Sequence, residues 1–239
     1  MRLEKYLADC GIGTRSQCKT YIRQGLIKVD GAVIKNGAIK VRGTEKISFQ
    51  DKSISLQKNL YFMFHKPAGC ICATKDEDGK TVLDYFPSSL AGKLLIAGRL
   101  DKDTEGLLFL TDNGTFIHQL MSPKKHVEKT YYFEAAGRLL EDAVQRVAEG
   151  IDIGDELPTK PGKLQNIQTI GQEAFSGLLT IKEGRYHQVK RMIKTLGGKV
   201  FYLKRISIGG INLDEALSPG EYRPLTEEEL QMLGTGSVK

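Results

Sequence analysis

The chain has 239 residues, of which 40% are hydrophobic and 8% aromatic, as in an ordinary globular protein with enough apolar material for one or two domains. No apolar run approaches the length of a membrane span, and the charged start MRLEKYLADCG lacks the apolar stretch of a signal peptide. The four cysteines form no CxxC pair, which favours free thiols over a metal site or disulfides. We therefore expect a soluble intracellular protein without a bound metal.

The net charge of +6 is unevenly distributed along the chain. Residues 1–58 contain 12 Lys and Arg against 5 Asp and Glu, a balance of +7, whereas residues 59–239 carry −1. Such a concentration of positive charge in a short segment is typical of a module that attracts a polyanion. Nucleic acid is the leading candidate, because phosphate contacts supply affinity that does not depend on sequence. A basic surface without a partner is the alternative.

The N-terminal segment opens with two predicted helices. Apolar residues recur at helical spacing in RLEKYLADCG, and a second helix in TRSQCKTYIRQG begins at Thr14 or Ser16 and ends before Gly25. Strands are predicted next, in LIKVDG and AVIKNG. Offsets of four place three cations on one face of the second helix, which is either a solvated surface or a binding face: Arg15, Lys19 and Arg23.

This segment resembles the RNA-binding module first defined in ribosomal protein S4, over about 45 residues from RLEKYLADCG to GAVI. In that family, the arginine after the first glycine turn and the basic second helix face RNA. The resemblance therefore implies RNA contacts at Arg15, Lys19 and Arg23, with Lys28 on the following strand. It implies binding and no chemistry.

The rest of the chain is predicted to form a second domain. Residues 51–59, DKSISLQKN, are polar and aperiodic, which predicts a linker. From residue 60 onward, strand-like and helical runs alternate up to a capped helix at Thr226. We predict an α+β protein with a small N-terminal domain of helices and strands over 1–58. A larger domain over 59–233 would hold a mostly antiparallel, mixed sheet flanked by helices, and the tail 234–239 would be disordered.

The segment 98–114, GRLDKDTEGLLFLTDNG, contains a single well-placed carboxylate. The preceding LLIA predicts a strand that ends at Gly98, the polar DKDTEG predicts a turn, and LLFL predicts the next strand. Asp101 therefore lies at the mouth of a turn between two strands, where an acid is rigidly held. On the local sequence alone, the simpler interpretation is that Asp101 only shapes the turn.

A second segment, EGRYHQVKRM at 183–192, joins a predicted strand to a basic helix. Between residues 182 and 205 the chain carries eight Lys and Arg and a single Glu, which indicates an anionic partner. Backbone amides at the helix start are suited to hold a phosphate. A lone histidine such as His187 is more often structural than catalytic.

Four motifs in order, HKPAG, GRLDKDTEGLLFLTDNG, EKTYYF and EGRYHQVKRM, resemble bacterial pseudouridine synthases of the ribosomal small-subunit type. The resemblance covers nearly the whole chain, and its ending favours enzymes that act on 16S rRNA over large-subunit relatives. It implies the isomerisation of a specific uridine to pseudouridine, without a cofactor, by a cytoplasmic monomer. The implied partner is small-subunit ribosomal RNA, either naked or in an assembly intermediate, and no membrane.

The resemblance also assigns roles to residues of the larger domain. Asp101 is implied to be the catalytic acid, which either attacks the sugar or abstracts a ribose proton. Arg185 is implied to be its salt-bridge partner, and Tyr131 to stack on the target uracil. Lys66 and Pro67 of HKPAG are expected to support the active-site loop. RNA contacts are implied for a further set: Arg99, His187, Gln188, Lys190 and Arg191.

Two other functions fit parts of the sequence. Asp103 and Glu105 near Asp101 provide the paired carboxylates of a glycoside hydrolase. That class lines its cleft with aromatics, however, whereas tryptophan is absent here and the basic regions would have no use. A non-catalytic RNA-binding assembly factor would need the cations, but not Asp101, Tyr131 and Arg185 together.

Overall fold

The structure, a computed structural model, describes residues 1–54, 59–76, 79–122 and 125–234. The chain divides into two units, Met1–Lys58 and Asn59–Lys239. No helix among the described residues is long and apolar enough to cross a membrane. All four cysteines are free, as expected from their spacing. The tail predicted to be disordered lies outside the described residues from 235 onward.

The first unit packs two helices and a small antiparallel sheet around one core. The core is formed by apolar side chains such as Leu3, Ile22 and Ile47, which come from both helices and from the sheet. The sheet order is β2-β1-β3-β4. The elements are α1 (Leu3–Asp9), α2 (Arg15–Arg23), β1 (Ile27–Val29), β2 (Ala32–Ile34), β3 (Ile47–Phe49) and β4 (Lys52–Ile54).

The linker prediction over 51–59 is wrong at residues 52–54. These residues form β4, which pairs with β3 in the register Ile47–Ile54 and Phe49–Lys52. The strand lies at the sheet edge and leaves its first two residues exposed, so its sequence lacks the apolar alternation that predicts a half-buried strand. Residues 55–58 lie outside the described residues.

The second unit is built on a nine-stranded sheet in the order β13-β5-β7-β11-β8-β10-β9, with β6 beside β7 and β12 beside β11. In the described ranges the β7–β11 pair is parallel and the other named pairs are antiparallel, which confirms the predicted α+β class. The strands are β5 (Tyr61–Lys66), β6 (Leu95–Ala97), β7 (Glu105–Thr111), β8 (Lys129–Gly137), β9 (Lys163–Thr169), β10 (Ala174–Ile181), β11 (Gly198–Ile208), β12 (Ile211–Asn212) and β13 (Tyr222–Pro224). The helices are a 3₁₀ turn (Val82–Tyr85), α3 (Ser88–Ala91), α4 (Gly114–Met121), α5 (Ala143–Glu149), α6 (Gln188–Thr195) and α7 (Glu227–Met232).

Reciprocal side-chain caps explain why two predicted helices begin where they do. The Thr14 hydroxyl accepts a hydrogen bond from the Gln17 amide, and the Gln17 side chain accepts one from the Thr14 amide. Thr226 and Glu229 repeat this capping box at α7. Each box satisfies amides that the helix itself leaves unpaired, so α2 and α7 start as predicted.

Strand β7 runs through the middle of the sheet and contains the apolar run LLFL. Leu108 and Leu110 enter one core, whereas Leu107 and Phe109 enter another, so both faces of the strand are buried. One edge of β7 pairs with β5. The other edge is shared, because β11 pairs with the start of β7 and β6 with its end. The turn before β7 therefore lies at the end where β11 joins the sheet.

Gly106 allows β11 to approach β7 directly after that turn. Its φ is +107°, and a Cβ at this position would lie 2.2 Å from the carbonyl oxygen of Arg205. No side chain fits such a gap, and few residues adopt such a backbone. The glycine in DKDTEG thus determines how closely the two strands meet beside Asp101.

Candidate functional site

A buried lysine holds the backbone of the Asp101 turn. Lys66, at the end of β5, is fully buried, and its Nζ donates hydrogen bonds to the carbonyl oxygens of Thr104 (2.8 Å), Pro67 (3.0 Å), Asp101 (3.0 Å) and Lys102 (3.3 Å). Burial lowers the pKa of this ammonium. The carbonyl oxygens replace the lost water, which makes the buried charge tolerable. The support expected from HKPAG is therefore present.

Backbone hydrogen bonds fix the same turn. The Thr104 amide donates to the Asp101 carbonyl at 3.1 Å, which closes the turn, and the Gly69 amide donates to the Lys102 carbonyl at 2.7 Å. Strands β6 and β7 hold its two ends. The backbone position of Asp101 is thus determined by several independent contacts, as the flanking strand patterns predict.

Two groups from the start of α6 approach the Asp101 carboxylate. Lys190 Nζ lies 3.5 Å from its Oδ2, and His187 Nε2 lies 3.6 Å from its Oδ1. Lys190 also contacts Asp103 Oδ1 at 2.6 Å, and the hydrogen bond from Lys190 lowers the pKa of Asp103. The Asp101 side chain retains 29% of its exposure, so a substrate can reach it. This arrangement presents an acid with a neighbouring cation to a ligand.

The prediction that Arg185 pairs with Asp101 is wrong. Its guanidinium donates to the carbonyl oxygens of Leu157 (2.6 Å) and Pro158 (2.7 Å), and it contacts the Asp155 carboxylate at 3.3 Å. Arg185 therefore anchors the loop between α5 and β9. Lys190 takes the position beside Asp101, with its Nζ 3.5 Å from Oδ2.

Two predicted RNA contacts on α6 also have structural roles. Gln188 is 3% exposed, accepts a hydrogen bond from the Arg185 amide and donates one to Glu183, so it does not reach the surface. Arg191 donates to the Ile153 carbonyl and to Asp155. Its guanidinium thus binds the loop at Asp155, and the RNA contact of Arg191 stays a prediction.

Tyr131 lies on β8 opposite Arg205 of β11. The tyrosine is 8% exposed, and Arg205 Nη1 donates to its hydroxyl at 3.4 Å. Arg205 is 2% exposed and its Nε donates to the Leu107 carbonyl, whereas its Nη2 has no hydrogen-bond partner among the described residues. In the sequence, Arg205 is only one of eight cations between residues 182 and 205. Its alternation with the buried Leu203 was the available signal for an inward-facing guanidinium.

The cations of α2 are available for binding in the first unit. Arg15, Lys19 and Arg23 are all exposed, as predicted from their spacing. Lys19 and Arg23 line a groove of about 420 Å³ together with two further cations, Arg2 and Lys35. A groove with this excess of positive charge is suited to phosphate groups.

The two other predicted RNA contacts differ in their surroundings. Lys28 on β1 forms a 2.5 Å ion pair with Asp51, which reduces its availability to RNA. Arg99, in the second unit, is exposed just ahead of the Asp101 turn. Arg99 therefore remains a candidate for contact with RNA.

Comparisons with known proteins identify relatives over the whole chain. The family model described as RNA pseudouridylate synthase matches residues 60–195, and that of the S4 domain matches residues 1–47. The chain is 45% identical to the ribosomal small subunit pseudouridine synthase A of Haemophilus influenzae, over 98% of this chain and 99% of the relative. It is 41% identical to the uncharacterized RNA pseudouridine synthase YtzG of Bacillus subtilis, over 98% of each. A pseudouridylate synthase crystal structure, 44% identical, matches with a TM-score of 0.68 over 98% of this chain and 99% of that one.

Proposed function

We propose that this chain, which belongs to the RNA pseudouridylate synthase family, isomerises one uridine of small-subunit ribosomal RNA to pseudouridine. The observation that carries the proposal is the Asp101 carboxylate, which faces Lys190 and His187 from a turn whose backbone the buried Lys66 holds. The relatives named for the small ribosomal subunit support the choice of RNA.

The reaction changes the uracil atom that is bonded to the ribose from N1 to C5, and substrate and product have the same atoms. The bond from ribose C1′ to N1 breaks, the base turns, and C1′ bonds to C5, which loses its proton while N1 gains one. Asp101 would act on the sugar as a nucleophile or as a base, and both routes need its ionised form. Lys190 places a positive charge 3.5 Å from this carboxylate.

Tyr131 and Arg205 form the second part of the proposed site. Tyr131 would stack on the uracil and assist removal of the C5 proton, and Arg205 would hold its hydroxyl in place. A uridine must leave its stack before it reaches these groups, at a cost of a few kcal/mol. Favourable phosphate contacts elsewhere on the protein offset that cost.

RNA is the partner of this chain, and the proposal assigns its docking to the N-terminal unit. Arg15, Lys19 and Arg23 would contact phosphates, and Arg99 would contact RNA close to the reacting nucleotide. The enzyme would work as a monomer in the cytoplasm. Its substrate would be the free ribosomal RNA or a partly assembled small-subunit particle.

The test is tritium release from small-subunit RNA labelled at uracil C5, with free RNA and assembly particles in parallel. We expect release by the wild type, and a rate at least about a thousandfold lower for Asp101→Asn, because that change removes the charge and keeps the shape. Asp103→Asn is the matched control, since Asp103 also contacts Lys190 but is 72% exposed and should be dispensable. RNA binding without release by the wild type would instead favour a non-catalytic assembly factor.

A further inference from the structure

The aromatic ring of Tyr186 is exposed to solvent beside the candidate site. At 77% exposure it is the most exposed of the large apolar and aromatic side chains in the described ranges. Its neighbours Arg185 and Gln188 hold the surrounding structure through hydrogen bonds, whereas the Tyr186 ring contributes nothing to a core. A single exposed aromatic ring is common on protein surfaces, so the role of Tyr186 has to be argued from the groups around it.

The ring is nevertheless held in one orientation. It stacks on the His187 imidazole, with 3.8 Å between the ring centroids and 21° between the planes. Arg191 Nη1 donates to the Tyr186 carbonyl at 3.2 Å, which fixes the backbone. His187 itself has a φ of +48°, a left-handed conformation that is uncommon outside glycine and concentrated at functional sites. Such a prearranged ring loses little conformational freedom when a ligand binds.

The stacked pair begins at the carboxylate of Asp101. His187 Nε2 lies 3.6 Å from Asp101 Oδ1, and Tyr186 covers one face of the imidazole. Because 77% of Tyr186 remains exposed despite this stacking, its ring offers surface on which a third flat ring can extend the stack. Lys102, in the same turn as Asp101, and Lys194, on the same helix as Lys190, are both exposed, and exposed cations are suited to contact phosphates.

We propose that Tyr186 binds RNA by stacking on the base that directly precedes or follows the target uridine. The inference rests on the proposed function, because the target uridine is the nucleotide that reaches Asp101. A neighbouring base then lies within one nucleotide of the Tyr186–His187 pair. Stacking suits this role because every base offers a flat face, so the contact positions the RNA strand without a requirement for one base.

The first test separates KM from kcat in the tritium-release assay. Tyr186→Leu removes the ring and should raise KM for RNA about five- to one-hundredfold, with kcat within about threefold of the wild type. Tyr186→Phe keeps the ring and should keep the wild-type KM. Val144→Ala, at an exposed apolar position on α5, is a control for surface changes and should change neither constant. An unchanged KM in Tyr186→Leu would refute the inference, as would an equal loss in Tyr186→Phe.

The second test observes the stack directly, with RNA that carries 2-aminopurine on either side of the mapped uridine. Binding to the wild type and to Tyr186→Phe should quench the fluorescence at one of the two positions, and Tyr186→Leu should abolish that quenching. Equal fluorescence for all three proteins at both positions would overturn the inference. A wild type that releases no tritium would refute the proposed function and this inference together. An active wild type with an unaffected Tyr186→Leu variant would refute the inference alone.

Discussion

Replacing Lys66 with methionine would show how much the Asp101 turn depends on one buried charge. Methionine retains most of the aliphatic stem and removes an ammonium whose three protons serve four carbonyl oxygens. The carbonyl oxygens of Asp101 and Lys102 keep their backbone amide partners, whereas those of Pro67 and Thr104 lose the ammonium. Each buried acceptor left unpaired costs about 1–3 kcal/mol, and relief of the buried charge offsets part of the sum. We expect the free energy of unfolding to fall by about 3–5 kcal/mol. A domain with about 10 kcal/mol of stability, in the middle of the usual range, would remain folded.

The same substitution should reduce catalysis. The turn carries Asp101, and a shift of a reacting group by about 1 Å lowers a rate by roughly a hundredfold. Urea unfolding followed by circular dichroism would give the stability, and tritium release well below the unfolding transition would give kcat. Lys102→Met is the stability control, because that exposed side chain lies on the same turn and should change stability by no more than about 0.5 kcal/mol. Wild-type stability and activity in Lys66→Met would refute the role assigned to the buried ammonium.

Two other predictions concern charge. Arg223 donates hydrogen bonds of 2.8 and 2.9 Å to Glu229, and these bonds lower the pKa of the Glu229 carboxyl. The pair therefore stabilises the fold at pH values above the unfolded pKa of Glu229, about 4.5. This stabilisation is lost as the pH falls through the lower pKa of the folded state. Arg223→Gln should therefore lower the free energy of unfolding by about 1–2 kcal/mol near pH 7 and make its decline below about pH 5 less steep, as measured by urea unfolding at several pH values. Parallel stability–pH curves for the wild type and the variant would contradict this role of the Arg223–Glu229 pair. Reversing the charges of Arg15, Lys19 and Arg23 should weaken RNA binding. It should also reduce the slope of the logarithm of the RNA association constant against the logarithm of the salt concentration by about 2, because each phosphate contact with single-stranded RNA contributes about 0.7. An unchanged slope would exclude α2 as the docking surface.

Local signals predicted the elements that frame the site. The start of α2 was predicted at Thr14 or Ser16, and the structure has Thr14 as the cap. The run LLFL predicted an apolar strand, which is β7. The turn between β6 and β7 followed from its glycines and polar residues. Each of these features depends on residues close together in the chain, which is why the sequence alone was sufficient. Strand β4 was not predicted, because an exposed edge strand does not need alternating apolar and polar residues.

The partners of Asp101 could not be predicted in the same way. The segment GRYHQVKRM offers three cations, Arg185, Lys190 and Arg191, within seven residues. Which of them faces the carboxylate depends on where α6 begins and on the left-handed turn at His187. The resemblance favoured the wrong one because both arginines instead hold the loop at Asp155. Sequence spacing shows which cations lie on the same face of a helix. Which of them reaches the Asp101 carboxylate depends on how the helix packs against a loop that is distant in sequence.

The parallel pairing of β7 with β11 has a consequence for how the enzyme is made. The Asp101 turn and the start of β7 are synthesised long before the α6 and β11 residues that contact them. Lys190 follows Asp103 by 87 residues, and Arg205 follows Leu107 by 98. Contacts so distant in sequence form late, after the intervening β8, β9 and β10 have been synthesised. A nascent or truncated chain therefore carries the acid without the cation beside it. The architecture delays the assembly of the reactive centre until most of the polypeptide has been translated.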